Sequence, residues 1–194
     1  MLSQSFVEGT VLTSCDTGAG GIGGPERTNA IDRDACIYFI RASVATPSIT
    51  KFLLVSALSS RRGRAPWWDG DSWSLVEKMN TQFLKHYYTA KLDADLELVK
   101  LGDERFGKDG FSWISLRPGG LGDDPEQGRV ALGKTKVRGF VSRGDVAEVI
   151  AKLLEKDGVR GWIDLLNGEE EIGAAVERVV KDRVDTREGD GWEI

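Results

Sequence analysis

The sequence predicts an α/β protein built on a mostly parallel sheet, and three observations carry that expectation. Short apolar runs of strand length alternate along the chain with longer runs of helical period. One of them, Lys51-Phe52-Leu53-Leu54-Val55-Ser56-Ala57, has an unbroken apolar interior, as in a strand buried on both faces. No internal repeat or low-complexity block interrupts the alternation, and 194 residues with 40% hydrophobic content suit one domain of ordinary size.

Taken in order, Thr10 to Cys15 is a short β-prone run, and a glycine-rich stretch from Gly18 to Pro25 follows it. About Arg27 to Ala45 reads as a helix, with Ile31, Ala35, Tyr38, Phe39 and Ala42 on overlapping apolar faces. Lys51 to Ala57 is the next strand. A polar loop with Arg61, Arg62, Arg64 and the pair Trp67-Trp68 leads into an amphipathic run from about Leu75 to Leu101, read as one helix. Phe111 to Leu116 is a third strand, ended by Arg117-Pro118-Gly119-Gly120. Ser142, with Asp145 three later, begins a helix from Val146 to Lys156 that Gly158 stops. Trp162 to Leu166 is a fourth strand and Ile172 to Lys181 a last helix. The polar residues 182–194 are expected to form a frayed tail.

Bulk properties exclude several classes. A net charge of −5 and a pI near 5.1 argue against nucleic acid, whose phosphates want a basic face. Cys15 and Cys36 lie among apolar or small residues and read as buried free thiols of a reducing compartment. Two cysteines and the single His86 give no metal site. No apolar run approaches about 18 residues, so no membrane span is expected. The opening Met1-Leu2-Ser3-Gln4-Ser5 has no basic region of a signal peptide, which makes the cytoplasm the default location.

Three motifs carry chemistry. Tyr87 and Lys91, four apart on a helix, share a face, and an ammonium beside a phenol favours the phenolate and makes a proton donor. The bland alternative is a core aromatic with Lys91 on a solvated face beside Asp95. Gly18, Gly20 and Gly23 satisfy G-x-G-x-x-G, where a pyrophosphate approaches a helix N-terminus; Ser59, Ser60, Arg61 and Arg62 after the next strand suit a 2′-phosphate. The alternative is a loop that merely allows close packing. Gly128 to Thr135 fits the Walker A letters, but no buried strand precedes it and no helix follows. Val130-Ala131-Leu132 is itself strand-like, so the motif is rejected. Trp67 and Trp68 read as packing a long loop onto the body, His86 as a surface residue, and the arginines as a solvated loop.

Together, these pieces resemble the atypical short-chain dehydrogenase/reductases, the NmrA-like group of NAD(P)-binding proteins with a Rossmann fold. The matching pieces are Thr17-Gly18-Ala19-Gly20, the helix with Pro25-Glu26-Arg27-Thr28 and Ile31-Asp32-Arg33-Asp34, and the strand ending at Ser56. The Tyr87/Lys91 helix, Arg117-Pro118-Gly119 and Val141 to Ala147 follow in the family's order. The likeness runs from about Thr10 to Val180. It implies that Thr10 to Cys15 is the family's fourth strand and that Gly18-Ala19-Gly20 flanks the adenine ribose. It also implies that the first three strands and the Gly-rich phosphate loop are lacking, leaving residues 1–194 as a single partial Rossmann-like, doubly wound domain. Thr10 to Cys15 is then an open sheet edge, either covered by Met1 to Glu8 or by a partner chain such as a second copy, or left bare at the expense of solubility.

The resemblance further implies roles. Tyr87 is the acid or base at the substrate oxygen. Lys91 holds the nicotinamide ribose and biases Tyr87, and Ser56 bonds the carbonyl. Gly18, Ala19, Gly20, Lys91, Arg117, Pro118 and Gly119 contact NAD or NADP. The implied function is an oxidoreductase or epimerase acting on a small carbonyl or sugar-like molecule. The alternatives are a non-catalytic NAD(P)-sensing or protein-binding member, and a product that has lost cofactor affinity with the phosphate loop.

Overall fold

The computed structural model describes residues 10–13 and 24–191. The elements run β1 (Thr10–Thr13), α1 (Gly24–Thr28), a π-helical stretch (Asn29–Ala35), α2 (Cys36–Ala45), β2 (Lys51–Val55) and α3 (Gly70–Lys78). A second π-helical stretch (Met79–Phe83) follows, then α4 (Lys85–Asp109), β3 (Ser112–Pro118), β4 (Gly120–Gly122), β5 (Arg129–Gly133) and β6 (Phe140–Ser142). The last elements are α5 (Arg143–Leu154), β7 (Arg160–Asn167), β8 (Glu170–Glu171) and α6 (Ile172–Lys181).

The main sheet has the order β1-β2-β3-β7-β5-β8, parallel from β1 to β7 and antiparallel beyond. The fold is thus the expected Rossmann-like α/β arrangement. Among the described residues β1 pairs on one side only, with β2. Met1 to Glu8, the expected cover for that edge, lies outside the described residues. A small second sheet, β4 with β6, was not foreseen. The rejected Walker-like segment forms β5, an antiparallel strand with no helix after it.

Strand alternation divides the core. Phe52, Leu54, Trp113 and Trp162 face α2 and α4, while Leu53, Val55, Ile114, Leu116, Ile163 and Leu165 face α5 and α6. Close approach of α4 to the sheet depends on Gly102, where a Cβ would stand 2.6 Å from the Trp113 ring. Side-chain caps set the helix starts: Asp69 accepts from the Ser72 N–H, Glu171 from Ala174, and Ser142 from Asp145. Gly110, left-handed at φ 76°, ends α4.

Four expectations need correction. The run from Leu75 to Leu101 is two helices, because Leu84 leaves the helical region (φ −116°, ψ 26°) with no Gly or Pro to announce it. Cys36 is fully buried and disulfide-bonded, so it is not a free thiol, and the argument for a reducing compartment loses that support. Cys15 lies outside the described residues. Arg61 does not sit in a solvated loop, since it is 1% exposed. The tail is not frayed over 182–191: Thr186, Arg187 and Asp190 are buried.

The last two corrections have one cause. The Arg61 guanidinium donates to the Thr186 and Glu188 carbonyls at 2.5 and 2.6 Å and lies 5.2 Å from the Trp68 ring centroid. The Asp190 carboxylate accepts from the Arg62 and Gly63 N–H groups. The tail is therefore clasped to the loop after β2. Burial, with Arg117 nearby, lowers the Arg61 pKa to about 10, still charged at neutral pH. Trp67 and Trp68 pack this loop onto the body as expected, both donating their indole N–H to the Thr135 carbonyl. Replacing Arg61 with Ala strands two carbonyl acceptors, at about 1–3 kcal/mol each. Urea unfolding of Arg61→Ala is expected to show a loss of about 2–4 kcal/mol, and limited proteolysis is expected to cut first after Asp182.

Candidate functional site

Tyr87, Lys91 and Asp95 repeat every four residues on α4 and present one helical face. Lys91 and Asp95 are buried, which removes the reading of that face as solvated; Tyr87 is half-buried and His86 is exposed. The Lys91 Nζ donates to the Val55 carbonyl at 3.4 Å, lies 3.5 Å from Asp32 Oδ1 and stands 5.7 Å from the Tyr87 ring centroid. Asp32, fully buried, belongs to the first π-helical stretch. Asn80, in the second π-helical stretch, and Tyr88, on the first turn of α4, donate to the Ser59 and Arg61 carbonyls.

Asp95 is the hub beneath. Its carboxylate accepts from Ser56 Oγ, Ser115 Oγ and Arg117 Nη1, each at 2.6 Å. Ser56 follows β2 and the other two stand on β3, so one carboxylate ties α4 to two adjacent strand ends. Arg117 also donates to the Ser60 carbonyl at 2.5 Å and stacks 3.8 Å from the Trp162 ring centroid. With no exposed surface, its guanidinium is committed inside the protein. Pro118 and Gly119 do reach the carboxyl edge beside Ser56. The Pro118 carbonyl accepts from Leu58, and at Gly119 a Cβ would stand 2.6 Å from the Gly139 carbonyl oxygen. Gly18, Ala19 and Gly20 lie outside the described residues.

The structure therefore brings Ser56, Tyr87, Lys91, Pro118 and Gly119 to the carboxyl ends of β2 and β3, where ligands bind in open α/β sheets. Sequence reasoning passed over Asp32 and undervalued Asp95. A signal existed for both: Asp32 falls on the four-residue stripe Thr28, Asp32, Cys36, Ile40, all buried, and Asp95 continues the Tyr87 and Lys91 spacing. A cavity of about 510 Å³ lies elsewhere, lined by Val130, Leu132, Lys134, Glu170, Arg178 and Val184. Its cations are already paired, Lys134 with Glu188 and Arg178 with Glu170.

Residues 10–157 match the family described as NAD(P)H-binding. The chain belongs to that family. The match agrees with the atypical short-chain dehydrogenase/reductase resemblance and with NAD or NADP as the family's cofactor. The uncharacterized sugar epimerase YhfK of Bacillus subtilis is 34% identical over 163 residues, covering 84% of this chain and 65% of that protein. A UPF0659 protein of Schizosaccharomyces pombe is 32% identical over 163 residues, 82% of this chain and 63% of its own. The chain thus spans just under two-thirds of the length of these relatives. A Bacillus halodurans structure named for an NAD-dependent epimerase/dehydratase superposes with a TM-score of 0.63 at 23% identity, over 88% of this chain and 69% of that one. At that identity the likeness speaks for the fold alone. Among the described residues no helix is long and apolar enough to cross a membrane, and no His, Cys, Asp or Glu cluster fits a metal.

The chain also buries Asp164 beside this network. Its Oδ1 accepts from Thr186 Oγ1 at 3.0 Å and lies 3.7 Å from Arg117 Nε, while Oδ2 has no hydrogen-bond partner among the described residues. Burial raises its pKa from 3.8 to about 6, against the pull of Arg117 and Arg61. A carboxyl group whose pKa rises on folding favours the folded state most while protonated, below its unfolded value. That advantage is lost as pH climbs through about 6. Thermal melts from pH 4 to 7 are expected to show wild type losing ground steadily to Asp164→Asn. A pH-independent difference between the two contradicts the shift.

Proposed function

We propose that this chain is the NAD(P)-dependent part of an NmrA-like oxidoreductase or epimerase acting on a small carbonyl or sugar-like molecule. The observation that carries the reading is the meeting of Tyr87 and Lys91 with the carboxyl ends of β2 and β3 in a chain of NAD(P)H-binding lineage. The relative's name, a sugar epimerase, supports the substrate class. When bound, the nicotinamide gives or takes the hydride.

Each remaining task falls to a residue of this chain. Tyr87 passes a proton to or from the substrate oxygen. Lys91 fits the ribose: an ammonium has three donors, and with one on the Val55 carbonyl and its charge balanced by Asp32 a donor is left for a sugar hydroxyl. Its positive charge near the phenol stabilises the phenolate that forms when Tyr87 gives up its proton. The backbone of Pro118 and Gly119 flanks the nicotinamide. The Arg117 guanidinium, bonded to Asp95 and the Ser60 carbonyl, braces the site from beneath. The side of β1 that pairs with no strand among the described residues supports pairing with a second copy of the chain.

A second reading, a non-catalytic NAD(P)-sensing or protein-binding member, is favoured by the internal commitment of Ser56 and Arg117. Two measurements separate the readings. Titration with NADH and NADPH is expected to quench tryptophan fluorescence, and no quenching at millimolar cofactor contradicts both. Tyr87→Phe is expected to lower turnover across a carbonyl panel by roughly 10²–10⁴-fold while cofactor affinity stays within about twofold. Unchanged turnover removes Tyr87 from the chemistry and leaves the sensing role.

A further inference from the structure

We infer that Asp95 is a positioning residue that turns Ser56 into a hydrogen-bond acceptor toward the substrate, so that the site selects molecules carrying a hydroxyl beside the reacting carbon. This rests on the oxidoreductase reading above and deepens it, because it replaces the role that the family resemblance gives to Ser56.

A serine hydroxyl has one hydrogen and two lone pairs. Ser56 Oγ lies 2.6 Å from Asp95 Oδ2, a length typical of a hydroxyl donating to a carboxylate. Asp95 cannot be the donor in that pair, since the Arg117 guanidinium sits 2.6 Å from the same oxygen and Ser115 fills the other. An aspartate so held is an acceptor only. The Ser56 hydrogen is therefore spent inward.

Asp95, Ser115 and Arg117 have no exposed surface, whereas Ser56 retains 5%. With its hydrogen spent on Asp95, the Ser56 hydroxyl has only lone pairs left to give a ligand. A bare carbonyl oxygen, also acceptor only, gains nothing from it. A substrate hydroxyl does, because it brings the missing hydrogen. With the reacting oxygen held by Tyr87, the group that Ser56 reads is a neighbouring hydroxyl. That describes an α-hydroxy carbonyl or vicinal diol, the unit that a sugar repeats around its ring.

Two experiments test the inference, one needing no substrate. In proton NMR of the full chain, the Ser56 hydroxyl is expected as a slowly exchanging resonance coupled to the Ser56 β-protons. It should vanish in Ser56→Ala and in Asp95→Asn while the amide spectrum keeps its dispersion. A Ser56 hydroxyl in fast exchange with water in the wild type overturns the hydrogen-bond direction.

The second experiment compares 2-hydroxycyclohexanone with cyclohexanone as substrates with NADPH. The wild type is expected to prefer the hydroxyketone in kcat/KM by about tenfold, the worth of one hydrogen bond at ~1.4 kcal/mol. Ser56→Ala should erase the preference. Asp95→Asn, whose amide can hand a hydrogen to Ser56, should shift it toward cyclohexanone. General structural damage would slow both ketones alike and leave the ratio where it was, which would overturn the positioning role. Turnover of neither ketone by the wild type overturns the substrate assignment together with the functional reading. The NMR signal then still decides the direction of the Ser56 hydrogen bond by itself.

Discussion

One buried carboxylate holds the working end of this molecule together. Asp95 has no exposed surface, and a lone charge in that position would cost several kcal/mol. Its cost is offset by three hydrogen bonds of 2.6 Å from Ser56, Ser115 and Arg117. Arg117 in turn is flanked by the Trp162 ring, the Ser60 carbonyl and Asp164. Because these groups come from α4, β3, β7 and the segment after β2, the knot determines how the helix lies against the strand ends. Breaking it by removing one partner leaves another charge buried without compensation, which is the costly way to lose an ion pair.

The candidate site inherits its geometry from this knot. Tyr87 and Lys91 lie about two turns and one turn before Asp95 on the same helical face, so anchoring the carboxylate also aims them. Lys91 is held a second time by Asp32 and the Val55 carbonyl. The clasped tail adds rigidity from outside, since Arg61 reaches from the loop after Ser56 into the carbonyls of Thr186 and Glu188. A parallel sheet supplies the place for a ligand, and this polar layer between sheet and helix supplies the orientation of the side chains that meet it.

Much of the fold was legible in the sequence, for physical reasons. The last helix was read as Ile172 to Lys181 and is found there, because its apolar period is clean. Ser142 announced the start of α5 through its capping chemistry. The unbroken apolar run after Lys51 gave β2, which the structure places as a buried strand of the sheet. What escaped had little local signal. The strands β4, β6 and β8 are two or three residues long. The break at Leu84 carries no Gly or Pro. Residues 182–191 are polar in composition, and only the long reach of Arg61 shows why they pack. The site divided likewise: Tyr87 and Lys91 were visible as a pair. The burial of Asp32, Asp95, Arg61 and Arg117 was not, because a charge on a helix or loop ordinarily faces water.

The central claim is that Asp95 and Arg117 stabilise the fold as a coupled pair, and a double-mutant cycle measures that directly. Urea unfolding of the wild type, Asp95→Asn, Arg117→Gln and the double variant yields the interaction free energy. A coupling of about 1.5–3 kcal/mol is the predicted result. Losses that add to within about 0.5 kcal/mol would contradict the account, because the two groups would then stabilise the protein independently.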